Sequence, residues 1–167
     1  MDAILSLGSN LGDRLAHLTQ AREALAHLLQ TRLVASSRVY ATEPVDVADT
    51  CRELEFFNAI VVLETMLEAH VFSDAVHAIE TRLGRKREAD RHAPRVIDID
   101  LICCDGLLLN EPALQLPHPR AHLRRFVCEP LNELRPTLVL PGQHLPIRAI
   151  LAHLPAAPCV SLAAEQW

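Results

Sequence analysis

A chain of 167 residues, half of them hydrophobic and 22% charged with only five glycines, has the composition of a globular protein long enough to bury a core. Its formal net charge of −5 excludes the basic surface of a nucleic-acid binder, and no apolar run approaches the roughly 18 residues that span a bilayer. One domain over 1–167 is expected, with no nucleic-acid partner and no membrane contact.

The first residues, Met1-Asp2-Ala3-Ile4-Leu5, carry no basic stretch, so no secretory signal is expected. Cys51, Cys103, Cys104, Cys128 and Cys159 form neither a CxxC pair nor a zinc pattern, and an odd count suggests no disulfide framework. A cytoplasmic monomer with reduced thiols is the expectation.

In chain order, residues 3–7 read as a buried strand that Gly8 stops, with Ser9 and Asn10 as helix caps. Leu15, Leu18, Leu25 and Leu28 then recur at helical spacing to about residue 30, and 33–40 reads as a strand. Residues 42–55 are polar, acidic and broken by Pro44, hence a loop. Residues 56–65 are aromatic and β-branched, hence a strand. Phe72, Val76, Ile79 and Leu83 form the stripe of a second helix stopped at Gly84. Residues 85–94 have no apolar face and read as a mobile loop; 96–103 is a further strand. Residues 116–120 are fixed by prolines, 147–154 is a last short helix, and the tail is Ala/Pro-rich. This irregular interleaving predicts an α+β, ferredoxin-like fold, a largely antiparallel sheet with helices on its faces.

Chemistry concentrates in Arg95-Val96-Ile97-Asp98-Ile99-Asp100-Leu101-Ile102. On a strand, Asp98 and Asp100 share one face, about 7 Å apart, while Ile97, Ile99 and Leu101 take the other. Two hard carboxylates on an anchored strand suit Mg²⁺, which completes its shell with phosphates and water. The pair alone also fits a solvated surface strand. Arg82, Arg85, Lys86, Arg87, Arg91 and Arg95 crowd the segment before it, and guanidinium forks match phosphate oxygens. Together these point to a magnesium–polyphosphate site, without the G-x-x-x-x-G-K-[ST] signature of a P-loop. A second polar segment holds His118, Arg120, Arg124 and Arg125; Asn58 interrupts an apolar strand; Phe56, Phe57 and Phe126 suit a core or a flat heterocycle.

Taken in order, Leu7-Gly8-Ser9-Asn10-Leu11-Gly12, Phe56-Phe57-Asn58-Ala59, Gly84-Arg85, Pro94 through Asp100, Pro117-His118-Pro119-Arg120, and Phe126 with Pro130-Leu131 resemble the 6-hydroxymethyl-7,8-dihydropterin pyrophosphokinases of folate synthesis. The resemblance implies transfer of the β,γ-diphosphate of ATP, the co-substrate, to the pterin hydroxymethyl oxygen, releasing AMP. It implies two Mg²⁺ on Asp98 and Asp100, and catalytic arginines at Arg85 and Arg95, the former on a closing loop. It places His77, Glu80, Arg87, Arg95, Leu101, His118 and Arg124 around ATP. Thr42, Val45, Phe56, Asn58, Asp98 and Phe126 fall around the pterin. His77, His92 and Pro119 depart from the residues familiar at those positions, so lid contacts are not carried over. A metal-dependent phosphohydrolase and a non-catalytic nucleotide-binding module are the alternatives that the carboxylates and arginines alone leave open.

Overall fold

The computed structural model describes residues 1–43, 55–85 and 94–167. β1 (Asp2–Ser9), with apolar residues on both faces, is buried from Ala3 onward, and it lies inside the sheet, antiparallel to β4 (Phe56–Thr65) on one side and β5 (Asp98–Cys104) on the other. β2 (Thr31–Ser36) and β3 (Val39–Thr42) pair with successive parts of β4, and β8 (Val160–Ala164) adds to β3. The strand order is β5-β1-β4-β3-β8 with β2 also on β4, all antiparallel. β6 (Leu109–Asn110) and β7 (Gln115–Leu116) form a separate short ribbon.

Helices cover both faces. On the first, α1 (Arg14–Ala26) and α2 (Ala69–Arg82) lay Leu18, Leu25, Phe72 and Val76 over Leu5, Leu7, Val61, Leu63 and Ile99. On the second, α3 (Arg125–Leu134) and α4 (Ile147–His153) lay Val127, Leu131, Ile147 and Ile150 over Ile4, Ile60, Val62 and Ile102. Gly8, Asn58, Asp98 and Asp100 share this second face but do not belong to its core. They lie at the other end of their strands.

β5 changes phase between these regions. Leu5 pairs with Leu101 but Ile4 pairs with Cys103, so Ile102 is an extra residue, a bulge. Asp98 and Asp100 therefore face the open end, while both Ile102 and Cys103 reach the second core.

Several expectations need correction. β1 runs through Gly8 to Ser9 instead of stopping at it, because cross-strand pairs continue on both sides. The cap of α1 is Asp13, whose carboxylate accepts from the Ala16 N–H at 3.1 Å, not Ser9 or Asn10. α1 ends at Ala26, before the positive φ of Gln30, and the single expected strand at 33–40 is two, β2 and β3. α3, with Pro130 inside it, is an element beyond those expected. β8 arises from the Ala/Pro-rich tail by pairing with β3. Trp167 fastens that tail, donating Nε1–H to the Ser37 carbonyl at 2.7 Å beneath the Arg22 guanidinium. Residues 44–54 and 86–93, with Val45, Arg87 and His92 and most of both expected loops, lie outside the described residues.

The anchoring of β5 is testable. Ile99 is 3% exposed in the first core, so Ile99→Ala should cost about 2–5 kcal/mol in urea unfolding. Leu162→Ala, on the exposed side of β8, should stay within about 0.5 kcal/mol.

Candidate active site

The carboxylate end of β5 is built around charge. Asp98 accepts from Arg85 on one oxygen and from Arg95 at 2.6 Å on the other. Arg85 also bonds Glu80 of α2, a carboxylate only 1% exposed whose Oε1 accepts from the Ile99 N–H at 2.7 Å. Glu80 thus ties α2 to the strand between the two aspartates and holds Arg85 over it. Burial raises its pKa, which Arg85 and the Ile99 N–H oppose.

Arg95 is fixed through its backbone. Asn10, 2% exposed, accepts the Arg95 N–H on Oδ1 at 2.8 Å and donates its own N–H to the Arg95 carbonyl at 3.3 Å. Sequence reasoning saw Asn10 only as a cap and a motif residue. A polar side chain directly after a buried strand was the available signal.

Asp100 lies 3.6 Å from Arg124, whose guanidinium carbon is 5.4 Å from the Phe126 ring centroid. Burial, and then the charge of Asp98, push the Asp100 carboxyl up to about 6. His118 donates its backbone N–H to Ile102 at 2.8 Å, which sets it along the outer edge of β5. Its Nδ1 accepts the Arg120 N–H at 3.1 Å, assigning the ring proton of the neutral form to Nε2. Burial, with Arg124 and Arg120 nearby, lowers its pKa to about 4, so it is a neutral donor at pH 7.

Across β1 the surface changes character. Asn58 is 4% exposed and donates Nδ2–H to Thr42 Oγ1 at 2.8 Å. Phe56, two residues earlier on β4, shares its face, whereas Phe57 points to the other side under the Arg14 guanidinium at 3.9 Å. Thr42, Phe56 and Asn58 thus stand together on one face, two polar side chains beside an aromatic ring.

The structure therefore brings together Arg85, Arg95, Asp98, Asp100, His118, Arg124 and Phe126, with Glu80 beneath them and Thr42, Phe56 and Asn58 beyond Gly8. Leu101 turns its side chain into the first core, so only its backbone is placed for a ligand. His77 lies on α2, one turn before Glu80. Among the described residues no group of three or more His, Cys, Asp or Glu side chains makes a metal cage. Asp98 and Asp100 supply two hard oxygen donors, which suits an ion completed by polyphosphate and water.

An α+β sheet protein with an arginine-flanked aspartate pair beside the buried polar pair Thr42 and Asn58 is the class these features define. The family model for 7,8-dihydro-6-hydroxymethylpterin-pyrophosphokinase (HPPK) matches residues 4–136, and the chain belongs to that family. It is 40% identical over 143 residues to the 2-amino-4-hydroxy-6-hydroxymethyldihydropteridine pyrophosphokinase of Pseudomonas aeruginosa, covering 85% of this chain and 86% of that one. To the Methylorubrum extorquens protein of the same name it is 42% identical over 152 residues, covering 91% and 92%. The solved Plasmodium falciparum HPPK-DHPS shares the fold with a TM-score of 0.70 at 15% identity, over 90% of this chain and 45% of that longer one.

The two titrating groups act on stability in opposite directions. Folded Asp100, near 6, keeps a proton that the unfolded residue loses at about 3.9, so its contribution fades as pH rises through about 6. Folded His118, near 4, stays neutral where the unfolded ring charges at about 6.5, so its contribution is lost as pH falls toward about 4. Relative to wild type, His118→Gln in metal-free buffer should lose stability as pH rises from 4 to 6, and Asp100→Asn should gain it. Urea midpoints across that window check both signs.

Proposed function

We propose that this chain transfers the β,γ-diphosphate of ATP to the hydroxymethyl oxygen of 6-hydroxymethyl-7,8-dihydropterin, releasing AMP and the pterin diphosphate for folate synthesis. One observation carries the reading: the aspartates of β5 and the Thr42–Asn58 half-site share one sheet face, separated only by β1. Acceptor and phosphoryl donor can then meet over a single rigid surface. The matches to named pyrophosphokinases over most of both chains support it.

The step is a displacement at the β-phosphorus. The pterin hydroxyl oxygen forms the new P–O bond, the bond from the β-phosphorus to the α,β-bridging oxygen breaks, AMP carries that oxygen away, and the hydroxyl proton is released. Asp98 and Asp100 would hold two Mg²⁺, which would supply positive charge to neutralise the polyphosphate. Arg85 and Arg95 stabilise charge on the transferring group, and His118 donates Nε2–H toward a phosphate oxygen beside Arg124. His77, Glu80, Arg87 and the Leu101 backbone complete the nucleotide side. Asn58 hydrogen-bonds the pterin edge, Thr42, Val45 and Phe56 surround the ring, and Phe126 stacks on its face.

A single-domain monomer is the reading, and both cores drawing on β1, β4 and β5 supports the single domain. Free Cys103, Cys104, Cys128 and Cys159 suit a reducing cytoplasm. No helix among the described residues is long and apolar enough to cross a membrane.

AMP release from ATP should require both magnesium and the pterin. Inorganic phosphate released without pterin would indicate a phosphohydrolase, and nucleotide binding without turnover a binding module. Asp98→Ala and Asp100→Ala should each cut turnover about 10²–10³-fold with the fold intact by circular dichroism. Arg85→Ala should lower kcat while pterin affinity holds, and Asn58→Ala should weaken pterin binding by about 1–3 kcal/mol. Single-turnover kinetics beside calorimetry separates these effects.

A further inference from the structure

The site-facing residues of β1 shrink toward the active end, from Ile4 to Ser6 to Gly8. Ile4 fills the second core, Ser6 lies between Ile60 and Asp100, and Gly8 pairs with Asn58 on one side and Asp98 on the other. Adjacent strands are about 4.8 Å apart, so Asn58 and Asp98 stand about 10 Å apart across a strand position with no side chain.

Backbone conformation does not call for glycine here. The positive-φ glycines are Gly12, Gly84 and Gly142, and Gly8 sits in regular paired strand. Space does. A Cβ at Gly8 would come within 3.2 Å of Asn58 Oδ1 and 4.0 Å of Asp98 Cβ. Asn58 cannot yield freely, because its amide is buried and donates to Thr42. A strand interior ordinarily disfavours glycine, since it adds backbone entropy to the unfolded state and packs nothing. The bare position is thus a trough joining the two half-sites.

We propose that Gly8 is a specificity-determining residue, its bare Cα forming the floor on which the hydroxymethyl arm of the acceptor crosses from Asn58 to the phosphates at Asp98. This rests on the pyrophosphokinase reading above. The arm is the only part of the acceptor that must leave the Asn58 half-site, so the floor discriminates by what hangs from the ring, not by the ring itself. A methyl group there occupies the path of the arm.

The test compares two ligands, 6-hydroxymethyl-7,8-dihydropterin and 7,8-dihydropterin, which lacks the arm, titrated in the presence of magnesium and a non-hydrolysable ATP analogue. Gly8→Ala should weaken the arm-bearing ligand about 5- to 150-fold, the usual range for overpacking, and the armless one by no more than about twofold. Affinity for the ATP analogue alone should stay within about twofold, which also shows that the variant is folded. Should Gly8→Ala not fold, Gly8→Ala/Asn58→Ser removes the one tight contact and is compared with Asn58→Ser in the same way. Equal loss of both pterins would mean that Gly8 merely makes room for the Asn58 amide, and would overturn the proposal. So would unchanged affinity for both, or a matching loss of nucleotide. Wild-type protein that binds neither pterin would instead remove the pyrophosphokinase reading itself.

Discussion

Antiparallel register is the constraint on which the rest depends. Gly8 lies opposite both Asn58 and Asp98, and Asn58 lies opposite Tyr40, so one row across four strands fixes where each half of the site can be. A shift of one residue in β5 would turn the aspartates into the first core and Ile99 outward, and a shift in β1 would exchange Leu5 and Leu7 for Ser6 and Gly8 in that core. The two hydrophobic clusters hold that register from both sides. The bulge at Ile102 lets the same strand serve an apolar core at one end and a charged site at the other.

Charge then decides how the site rests before any ligand arrives. Two carboxylates two residues apart repel, and the structure answers with Arg85, Arg95 and Arg124 rather than with further burial. These side chains keep between a fifth and two fifths of their surface in contact with solvent. Pairs of that kind are worth about 0–1 kcal/mol each, because water screens them and holding long side chains costs entropy. The fold rests on its two cores, where a single large-to-small change costs about 2–5 kcal/mol. The scaffold therefore does not depend on these arginine–aspartate pairs. Glu80 is different. Its carboxylate is buried and bound to the Ile99 N–H, which fastens it to the strand.

Much of this was legible in the sequence where one physical signal dominated. Alternation placed Asp98 and Asp100 on one face of β5, and the aromatic, β-branched run of β4 marked a strand. The stripe through Phe72, Val76 and Ile79 gave α2. What escaped notice depends on long-range pairing. β8 has no pattern of its own and exists because β3 offers an edge. Gly8 looked like a strand stop, since a lone glycine after an apolar run signals a turn; only the neighbours on both sides show that it is paired and that the missing side chain matters. For the site residues, the order and spacing of motif segments supplied the assignments. Geometry added Asn10 as the support of Arg95 and turned the Leu101 side chain away from the site.

Counting bound metal tests most directly whether the β5 carboxylates and a polyphosphate together form the reaction centre. Mn²⁺ can replace Mg²⁺ and be followed by electron paramagnetic resonance, with a non-hydrolysable ATP analogue added or withheld. Two carboxylates that form no larger ligand group among the described residues should bind two ions per chain, close enough to couple magnetically, only when the nucleotide is present. Two ions still bound by Asp98→Ala/Asp100→Ala with the nucleotide present would contradict that assignment.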